Sequence, residues 1–317
     1  MPFRFWRKPE TPTADPSGDR LPDPASILRR ARRLKFRVRP ETAAALAGAY
    51  HSARPGIGLT FSELRAYEPG DDVRYLDWNV TARQGRPYVR RFVEERALTL
   101  WLVVDISASM RFGRPTQTKA DRAAQCAALL AAAAIQSGDR VGLILTTDQV
   151  EFELPPSGGV RHLARILRAL IVTPAGSSRS RLGCVLPRVR RARHRALFVL
   201  LSDFIETEPP AIWRAAATRH DLVGMRMVDP LELQLPNVGL LHIEDPESHE
   251  RAVIDTSARR VREAYEAQAA DAGRAFARWC SEAMIEAITF RTDQEPMTPL
   301  LRFLQSRSRG RLRRPPY

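Results

Sequence analysis

Three oxygen-bearing side chains, Asp105, Ser107 and Ser109, occupy alternate positions directly after the largely apolar run LTLWLVV. Such a run is typical of a strand buried on both faces of a sheet, and a strand of this kind is expected to end in a turn rather than in a carboxylate and two hydroxyls. A second apolar run, ALFVLLSD, also ends in an acid, Asp203. Ligands bind at the carboxyl ends of strands in an open α/β sheet, and two carboxylates placed there repel each other unless a cation lies between them.

The chemistry that suits these residues is the coordination of a small hard cation. Mg²⁺ prefers oxygen ligands and keeps several waters where protein ligands are few, and Mn²⁺ or Ca²⁺ would accept a similar set. A further hydroxyl is expected from the loop AGSSRSRLGCVL, with Ser180 as first choice and Ser178 as second. The predicted metal ligands are Asp105, Ser107, Ser109, Ser180 and Asp203.

Strands and helices that would position these ligands alternate from residue 98 onward. Strands are predicted at 98–105, 140–147, 196–203, 221–229 and 286–292, and helices near 118–136, 160–171, 182–193, 209–220, 257–283 and 298–305. VEFEL is a hairpin partner of the second strand, and GLLHIED and RAVIDT are short edge strands. This alternation predicts an α/β fold, Rossmann-like, with a mainly parallel sheet and helices on both faces.

The chain divides into four predicted parts. Residues 1–25 are expected to be a disordered basic N-terminus, and 26–97 a helical and β-rich segment. Residues 98–304 form the α/β domain, and 305–317 an Arg-rich disordered tail. Within the second part, the stretch YEPGDDVRYLDW is interpreted as structural, with Arg74 paired to an acid at a turn and Trp78 anchoring the segment on the domain.

The net charge of +14 comes from the two ends. Residues 1–54 hold 12 Lys/Arg against 5 Asp/Glu, and residues 302–317 hold 6 Arg and no acid. Cationic ends on a near-neutral body are typical of tails that touch an anionic partner such as nucleic acid or an anionic surface, and equally of solvated termini.

Several protein classes are excluded by composition. No apolar run reaches the roughly 18 residues that span a bilayer, and the N-terminus lacks a signal-peptide core, so a cytoplasmic protein without an integral membrane segment is expected. The three cysteines are scattered, which excludes a disulfide framework and a zinc site.

The arrangement Asp-x-Ser-x-Ser after a buried strand, a later loop hydroxyl and an Asp after a further strand resembles the metal-ion-dependent adhesion site of von Willebrand factor A domains. The segments GDDVRYLDWN, DISASMRFG, SGDRVGLILTTD and LLSDF are similar to the bacterial domain of unknown function 58 family, over about residues 55–304. The resemblance implies a von Willebrand A fold and a divalent metal on the five ligands named above. It also implies a partnership with a MoxR-type AAA+ ATPase that remodels or activates a client protein. In such sites the second loop usually offers Thr after Gly-Gly, whereas here it reads Ser178-Arg179-Ser180.

The expected function is therefore a non-enzymatic, metal-dependent protein-interaction module, an adaptor or co-chaperone of such an ATPase. One alternative is a protein that binds nucleic acid or an anionic surface through its Arg-rich termini. A less favoured alternative is a Mg-dependent phosphatase-like enzyme of the haloacid-dehalogenase type. That chemistry needs a second Asp where Ser107 stands, and a Lys near the acids, yet no Lys occurs between residues 120 and 203.

Overall fold

The computed structural model describes residues 40–53, 61–68, 76–92, 97–173, 179–244 and 251–311. Its strands are β1 (Phe61–Ala66), β2 (Tyr88–Phe92), β3 (Thr99–Asp105), β4 (Gly113–Arg114), β5 (Gln117–Thr118), β6 (Arg140–Thr146), β7 (Val150–Ser157), β8 (Leu197–Ser202), β9 (Asp221–Val228), β10 (Leu240–Glu244), β11 (Arg251–Asp255) and β12 (Glu286–Arg291). Its α-helices are α1 (Pro40–Ala53), α2 (Trp78–Gln84), α3 (Lys119–Gln136), α4 (Val160–Val172), α5 (Leu186–Arg191), α6 (Pro210–Ala217), α7 (Pro230–Leu233), α8 (Arg259–Ala283) and α9 (Met297–Arg311). Two short 3₁₀ turns, Ala108–Arg111 and Leu182–Val185, follow β3 and precede α5.

The centre of the fold is a six-stranded sheet in the order β12-β9-β8-β3-β6-β7. The first five strands are parallel, and β7 pairs antiparallel with β6 as the expected hairpin partner. The strands and helices predicted from residue 98 onward all form, most of them with ends within two residues of the prediction. The predicted α/β fold with a mainly parallel sheet is confirmed.

Both faces of the sheet are covered by helices. Leu100, Leu102 and Val104 of β3 belong to one hydrophobic cluster, together with the Ala-rich helix α3. Val103, whose side chain lies on the opposite face of the sheet from those of Leu102 and Val104, belongs to a second hydrophobic cluster that includes Trp213 of α6. Burial of each such large side chain stabilises the fold by about 1.5–3 kcal/mol, which explains why these strands are apolar on both sides.

The connections diverge at the centre of the sheet. Strand β3 is followed by α3 on one face and leads to β6 on one side. Its neighbour β8 is followed by α6 on the opposite face and leads to β9 on the other side. The carboxyl ends of β3 and β8 therefore flank the topological switch point, where α/β sheets open a crevice for ligands.

The N-terminal segment differs from one expectation. Strands β1 and β2 form an antiparallel pair, and between them Asp77 caps helix α2 by accepting hydrogen bonds from the backbone N–H groups of Asn79 and Val80. Trp78 is 71% exposed, so the prediction that it anchors this segment on the domain is wrong. Helix α2 buries none of its residues, and Trp78 at its first position therefore has no core to enter. Arg74 lies outside the described residues.

The C-terminal helix also differs from the prediction. Helix α9 continues to Arg311, so residues 305–311, which were expected in a disordered tail, are helical. Arg307 is buried and pairs with Asp221 at 2.6 Å and Glu286 at 3.0 Å, an arrangement that a composition-based reading of an Arg-rich end cannot detect. The predicted disordered N-terminus, residues 1–25, lies outside the described residues. Across the described part of the chain, no helix combines the length and the apolar character needed to cross a bilayer.

Candidate metal centre

Two neighbouring strands bring Asp105 and Asp203 to one edge of the sheet. Asp105 is the last residue of β3, Asp203 directly follows β8, and the two strands run parallel with Val104 opposite Leu201. Both acids are buried, with exposed fractions of 0% and 3%. The switch point between the two connections therefore holds two carboxylates screened from water.

Asp105 is held by hydrogen bonds from three serines. Its Oδ1 accepts the backbone N–H of Ser107 at 2.8 Å. Its Oδ2 accepts the hydroxyls of Ser180 and Ser202, each at 2.6 Å. The hydroxyl oxygens of Ser107 and Ser109 lie 3.2 Å apart, and both residues are buried. Of the predicted ligands, Ser180 therefore contacts Asp105 through its side chain and Ser107 through its backbone, while Ser109 contacts the hydroxyl of Ser107.

The second-loop position was left between two serines. Ser180 contacts Asp105 directly, while Ser178 lies outside the described residues. The backbone N–H of the adjacent Arg181 donates to the carbonyl of Thr147, which ties this loop to the end of β6. Ser180 is thereby delivered to the carboxyl edge of the sheet by a loop from a different part of the chain.

The electrostatics of Asp105 are unfavourable for an isolated carboxylate. Burial, and then the charge of Asp203, raise its pKa above the usual value, against the lowering effect of the serine hydrogen bonds. Within the described part of the chain, Asp105 has hydrogen-bond donors but no cationic side chain as a partner. A cation placed between Asp105 and Asp203 would relieve both the burial cost and the repulsion.

Lys119 is the residue at this site that the sequence interpretation did not find. Its Nζ lies 2.8 Å from Oδ2 of Asp203 and 2.7 Å from Oε1 of Glu232, and its side chain is fully buried. Burial alone would lower the pKa of Lys119, but the two carboxylates raise it above its usual value. A lysine therefore stands beside Asp203, although the phosphatase alternative was disfavoured partly because none was found near the acids.

The rarity of lysine in this chain could have drawn attention to Lys119. The chain has 50 Lys/Arg residues, of which only Lys8, Lys35 and Lys119 are lysines. A compact ammonium satisfies two carboxylates in a closed space where a planar guanidinium would need more room. Lys119 also begins α3, ten residues after Ser109 and just beyond the β4–β5 pair, with Thr118 as the N-cap.

The backbone next to Asp203 is strained. Phe204 has φ of +54°, in the left-handed region that non-glycine residues rarely adopt, at a cost of about 1–3 kcal/mol. Its N–H donates to the hydroxyl of Ser202, and its ring packs against Phe276 and Trp279. This ring packing holds the turn that places Asp203, whose Oδ1 accepts the N–H of Ile205.

The donor set suits a hard divalent cation. Within the described residues, no three His, Cys, Asp or Glu side chains are grouped as ligands, so the site depends on two carboxylates supplemented by hydroxyls. Lys119 pairs with the acids Asp203 and Glu232, and the charge of Asp203 acts on Asp105, so this charged cluster has a formal charge of −2 when all four groups are ionised. One divalent cation would neutralise this charge, and oxygen ligands of this kind are those that Mg²⁺ accepts.

Comparison with known proteins gives relatives without an assigned function. The family model "Protein of unknown function DUF58" matches residues 63–275. "Uncharacterized protein Rv1480" of Mycobacterium tuberculosis (strain ATCC 25618 / H37Rv) is 33% identical over 304 residues, covering 92% of each chain. "Uncharacterized protein MAV169" of Mycobacterium avium is 30% identical over 167 residues, covering 50% of this chain and 96% of its own. Among solved structures, BatB from Bacteroides thetaiotaomicron superposes with a TM-score of 0.43 at 13% identity, covering 67% of this chain and 100% of its own.

Proposed function

Since the chain belongs to the family of proteins of unknown function DUF58, we propose that it is a non-enzymatic, divalent-metal-dependent protein-interaction module with a von Willebrand factor A-like fold. The observation that carries the proposal is the pair of buried carboxylates, Asp105 and Asp203, surrounded by serine hydroxyls at the switch point of the sheet. Lys119 balances Asp203, but Asp105 has no cationic partner within the described residues, and a buried carboxylate without one is costly unless a bound cation compensates it.

The residues that would hold the ion are those predicted from the sequence. Asp105, Ser107 and Ser109 come from the loop after β3, Ser180 from the loop before α5, and Asp203 from the loop after β8. When bound, Mg²⁺, Mn²⁺ or Ca²⁺ would supply an open coordination position for a carboxylate oxygen of a partner protein. Ser202 orients Asp105, and Lys119 balances the charge of Asp203.

The partner that we propose is a MoxR-type AAA+ ATPase in the cytoplasm, for which the chain would act as an adaptor or co-chaperone toward a client protein. The support is the family resemblance of the segments from GDDVRYLDWN to LLSDF, which is an argument by analogy. The loops after β3 and β8 follow neighbouring strands at one edge of the sheet, and this edge is where we propose that the partner's acidic side chain binds.

The first test is direct metal binding, measured with Mn²⁺ by electron paramagnetic resonance on the full chain. Wild type is expected to bind about one Mn²⁺, in competition with Mg²⁺. Asp105→Asn and Asp203→Asn keep the side-chain shape and are expected to lose at least tenfold in affinity, because a carboxylate ligand is removed. The control is Asp271→Asn, an exposed acid on α8.

The stability of the same variants separates a lost ligand from a lost fold. In EDTA, the free energy of unfolding of Asp105→Asn is expected to equal that of wild type or to exceed it by up to about 1 kcal/mol. The reason is that the neutral amide removes a buried charge beside Asp203. Equal Mn²⁺ affinity in wild type and Asp105→Asn would contradict the metal site.

The second test is partner capture from the cells that produce the protein. We expect a MoxR-type ATPase to co-purify with wild type in Mg²⁺, and to be lost in EDTA and with Asp105→Asn. Capture of the same ATPase under all three conditions would reject a metal-mediated contact. Nucleic acid that co-purifies in a salt-sensitive manner would instead favour the Arg-rich termini.

A further inference from the structure

A cavity of about 280 Å³ adjoins the metal-facing edge of the sheet. Its walls come from three elements: the turn after β8, the end of β9 with α7, and one side of the long helix α8. The residues that the argument uses are Asp203, Arg226, Glu232, Ala272, Phe276 and Trp279. Cavities that hold a whole cofactor are usually about 300–1,000 Å³, so this one suits one or two side chains better.

The floor of the cavity is apolar. Phe276 and Trp279 are buried on α8 and pack against the ring of Phe204, with ring centroids 4.8 and 5.8 Å away. Ala272, one turn earlier on the same helix, is exposed and lies at the rim. Small residues at the rim leave the floor open to an apolar side chain that approaches from outside.

Arg226 supplies the positive charge of the cavity. Its guanidinium carbon lies 5.8 Å from the centroid of the Phe276 ring, and its Nη1 lies 3.5 Å from the position of a Cβ built on Gly273. The guanidinium therefore lies against α8, beside Gly273 and the ring of Phe276. Within the described residues, no carboxylate reaches Arg226 at ion-pair distance.

The two nearest acids are already engaged. Asp203 and Glu232 both pair with Lys119, at 2.8 and 2.7 Å, although their charges still act on Arg226 at longer range. Burial lowers the pKa of Arg226, and the charges of Glu232 and Asp203 partly oppose this effect. The charge at the cavity that lacks a directly bonded partner is therefore positive, and it would be complemented by a carboxylate.

We propose that this cavity receives a segment of a partner protein in which an acidic residue is adjacent to a bulky aliphatic residue. The carboxylate pairs with Arg226, and the aliphatic side chain covers Phe276 and Trp279. That the occupant is a protein rests on the proposed function. What this inference adds is the pair of residue types, acidic and aliphatic, that the bound segment must contain. The Arg226 contact itself requires no metal, so it can be tested in EDTA.

The probe for the test is the blocked dipeptide N-acetyl-Leu-Glu-amide, added to the full chain in EDTA. The readout is the indole ¹⁵N–¹H resonance of Trp279, one of five Trp in the chain, assigned with Trp279→Phe. We expect a saturable shift of this resonance. N-acetyl-Leu-Gln-amide should bind about five- to tenfold more weakly, because it lacks the charge-assisted hydrogen bonds to Arg226.

Matched variants separate the site from the surface around it. Arg226→Gln should reduce the affinity for the Glu dipeptide to that for the Gln dipeptide, and Arg278→Gln, an exposed arginine on α8, should leave it unchanged. Ala272→Leu should block the cavity with Arg226 intact, whereas Ala270→Leu, an exposed position outside the cavity, should not. Native circular dichroism and an unchanged urea midpoint confirm that each variant is folded.

The outcomes distinguish this inference from the proposed function. Binding in EDTA that Arg226→Gln and Ala272→Leu both weaken supports the inference even if Asp105→Asn leaves Mn²⁺ binding unchanged. Absence of a shift, or a shift that needs metal and ignores Arg226→Gln, overturns the inference and leaves the metal site standing. Hexanoate that binds as tightly as the Glu dipeptide also overturns it, because the occupant would then be a small carboxylic acid.

Discussion

Lys119 gives the candidate site a cation of its own. Its ammonium is fully buried between Asp203 and Glu232, so one of the local negative charges is neutralised permanently by the chain. The remaining formal charge of the cluster is −2, which one divalent cation would balance, so the lysine is compatible with the proposed metal binding. An arginine in place of Lys119 would bring five N–H donors, and the two carboxylates that hold the lysine would not satisfy all of them.

Replacement of Lys119 tests how much of the fold depends on this internal cation. We expect Lys119→Met to lower the free energy of unfolding by about 3–5 kcal/mol in EDTA, because two carboxylates lose their buried partner. Added Mg²⁺ should restore part of that loss. The measurement is urea denaturation with and without Mg²⁺.

The control for Lys119 is an exposed ion pair. Arg259 and Glu263 on α8 are joined at 2.7 Å, but their side chains are 84% and 58% exposed. Arg259→Met is expected to cost no more than about 0.5 kcal/mol, because exposed helix pairs are weak. Similar losses in the two variants would show that Lys119 is not a buried charge partner.

His220 makes stability depend on pH. Burial, and then the positive charge of Arg219, lower its pKa from the ordinary 6.5, while a backbone hydrogen bond at Val189 opposes this and Arg195 adds to it. His220 therefore binds a proton more readily in the unfolded chain than in the folded chain. The free energy of unfolding must fall as the pH drops from about 6.5 toward the lower pKa of the folded protein.

The pH dependence can be measured by urea denaturation at pH 7.5 and 5.5. Wild type should lose more stability between these two pH values than His220→Gln does, whereas the exposed control His194→Gln should lose as much as wild type. An equal loss in wild type and His220→Gln would show that His220 is not the group responsible.

At the scale of elements, the apolar runs determined the strands and the periodicity determined the helices. The strand that ends at Asp105 and the strand that precedes Asp203 were predictable because burial on both faces demands unbroken apolar residues. Helix α2 was missed because it is short and buries none of its residues, so no periodic pattern marks it. The extension of α9 to Arg311 was missed because its helical end depends on tertiary ion pairs of Arg307.

Strand β6 contains a glycine that the sheet requires. A Cβ on Gly142 would lie 2.5 Å from the ring of Trp101 on the adjacent strand β3, and that ring is held parallel to Phe198 at 6.1 Å. Gly142→Ala is therefore expected to destabilise the protein by about 1–3 kcal/mol through overpacking. The urea midpoint should move down accordingly.

The matched control is a glycine of the opposite kind. Gly48 lies within helix α1, and a Cβ there would meet nothing within 4 Å. Gly48→Ala is expected to stabilise the protein by about 0.5–1 kcal/mol, because alanine loses less backbone entropy in a helix. If both substitutions shift the midpoint in the same direction, the contact with Trp101 does not decide the effect.

At the scale of the whole molecule, the sequence reveals the residues at strand ends more readily than those that reach the same edge from other elements. Asp105, Ser107, Ser109, Ser180 and Asp203 were predicted from their types and their places at strand ends, and the structure gathers them at one edge. Lys119, Glu232 and Arg226 were not predicted, because each reaches the site from an element whose position is known only after the sheet is assembled. Ser202 was the nearest miss, since it directly precedes Asp203.

The packing of the whole molecule also predicts the reactivity of its thiols. Cys126 is fully buried on α3 and Cys280 is buried on α8, and burial raises the pKa of each to about 12. Cys184 is only half-buried, with its pKa raised mainly by burial, and lies near Thr146. Iodoacetamide applied to the native protein should modify Cys184 first, as read by peptide mass spectrometry. Early modification of Cys126 would mean that α3 opens locally.

Glu232 belongs to both of the places where this protein is proposed to bind ligands. One of its oxygens holds Lys119, which in turn holds Asp203, and the same residue forms part of the wall of the Arg226 cavity. The shared residue connects the two proposed sites, and any coupling between them must be reciprocal. The factor by which a cation changes the affinity for the peptide segment equals the factor by which the segment changes the affinity for the cation. The affinity of the protein for either ligand would then depend on whether the other ligand is bound.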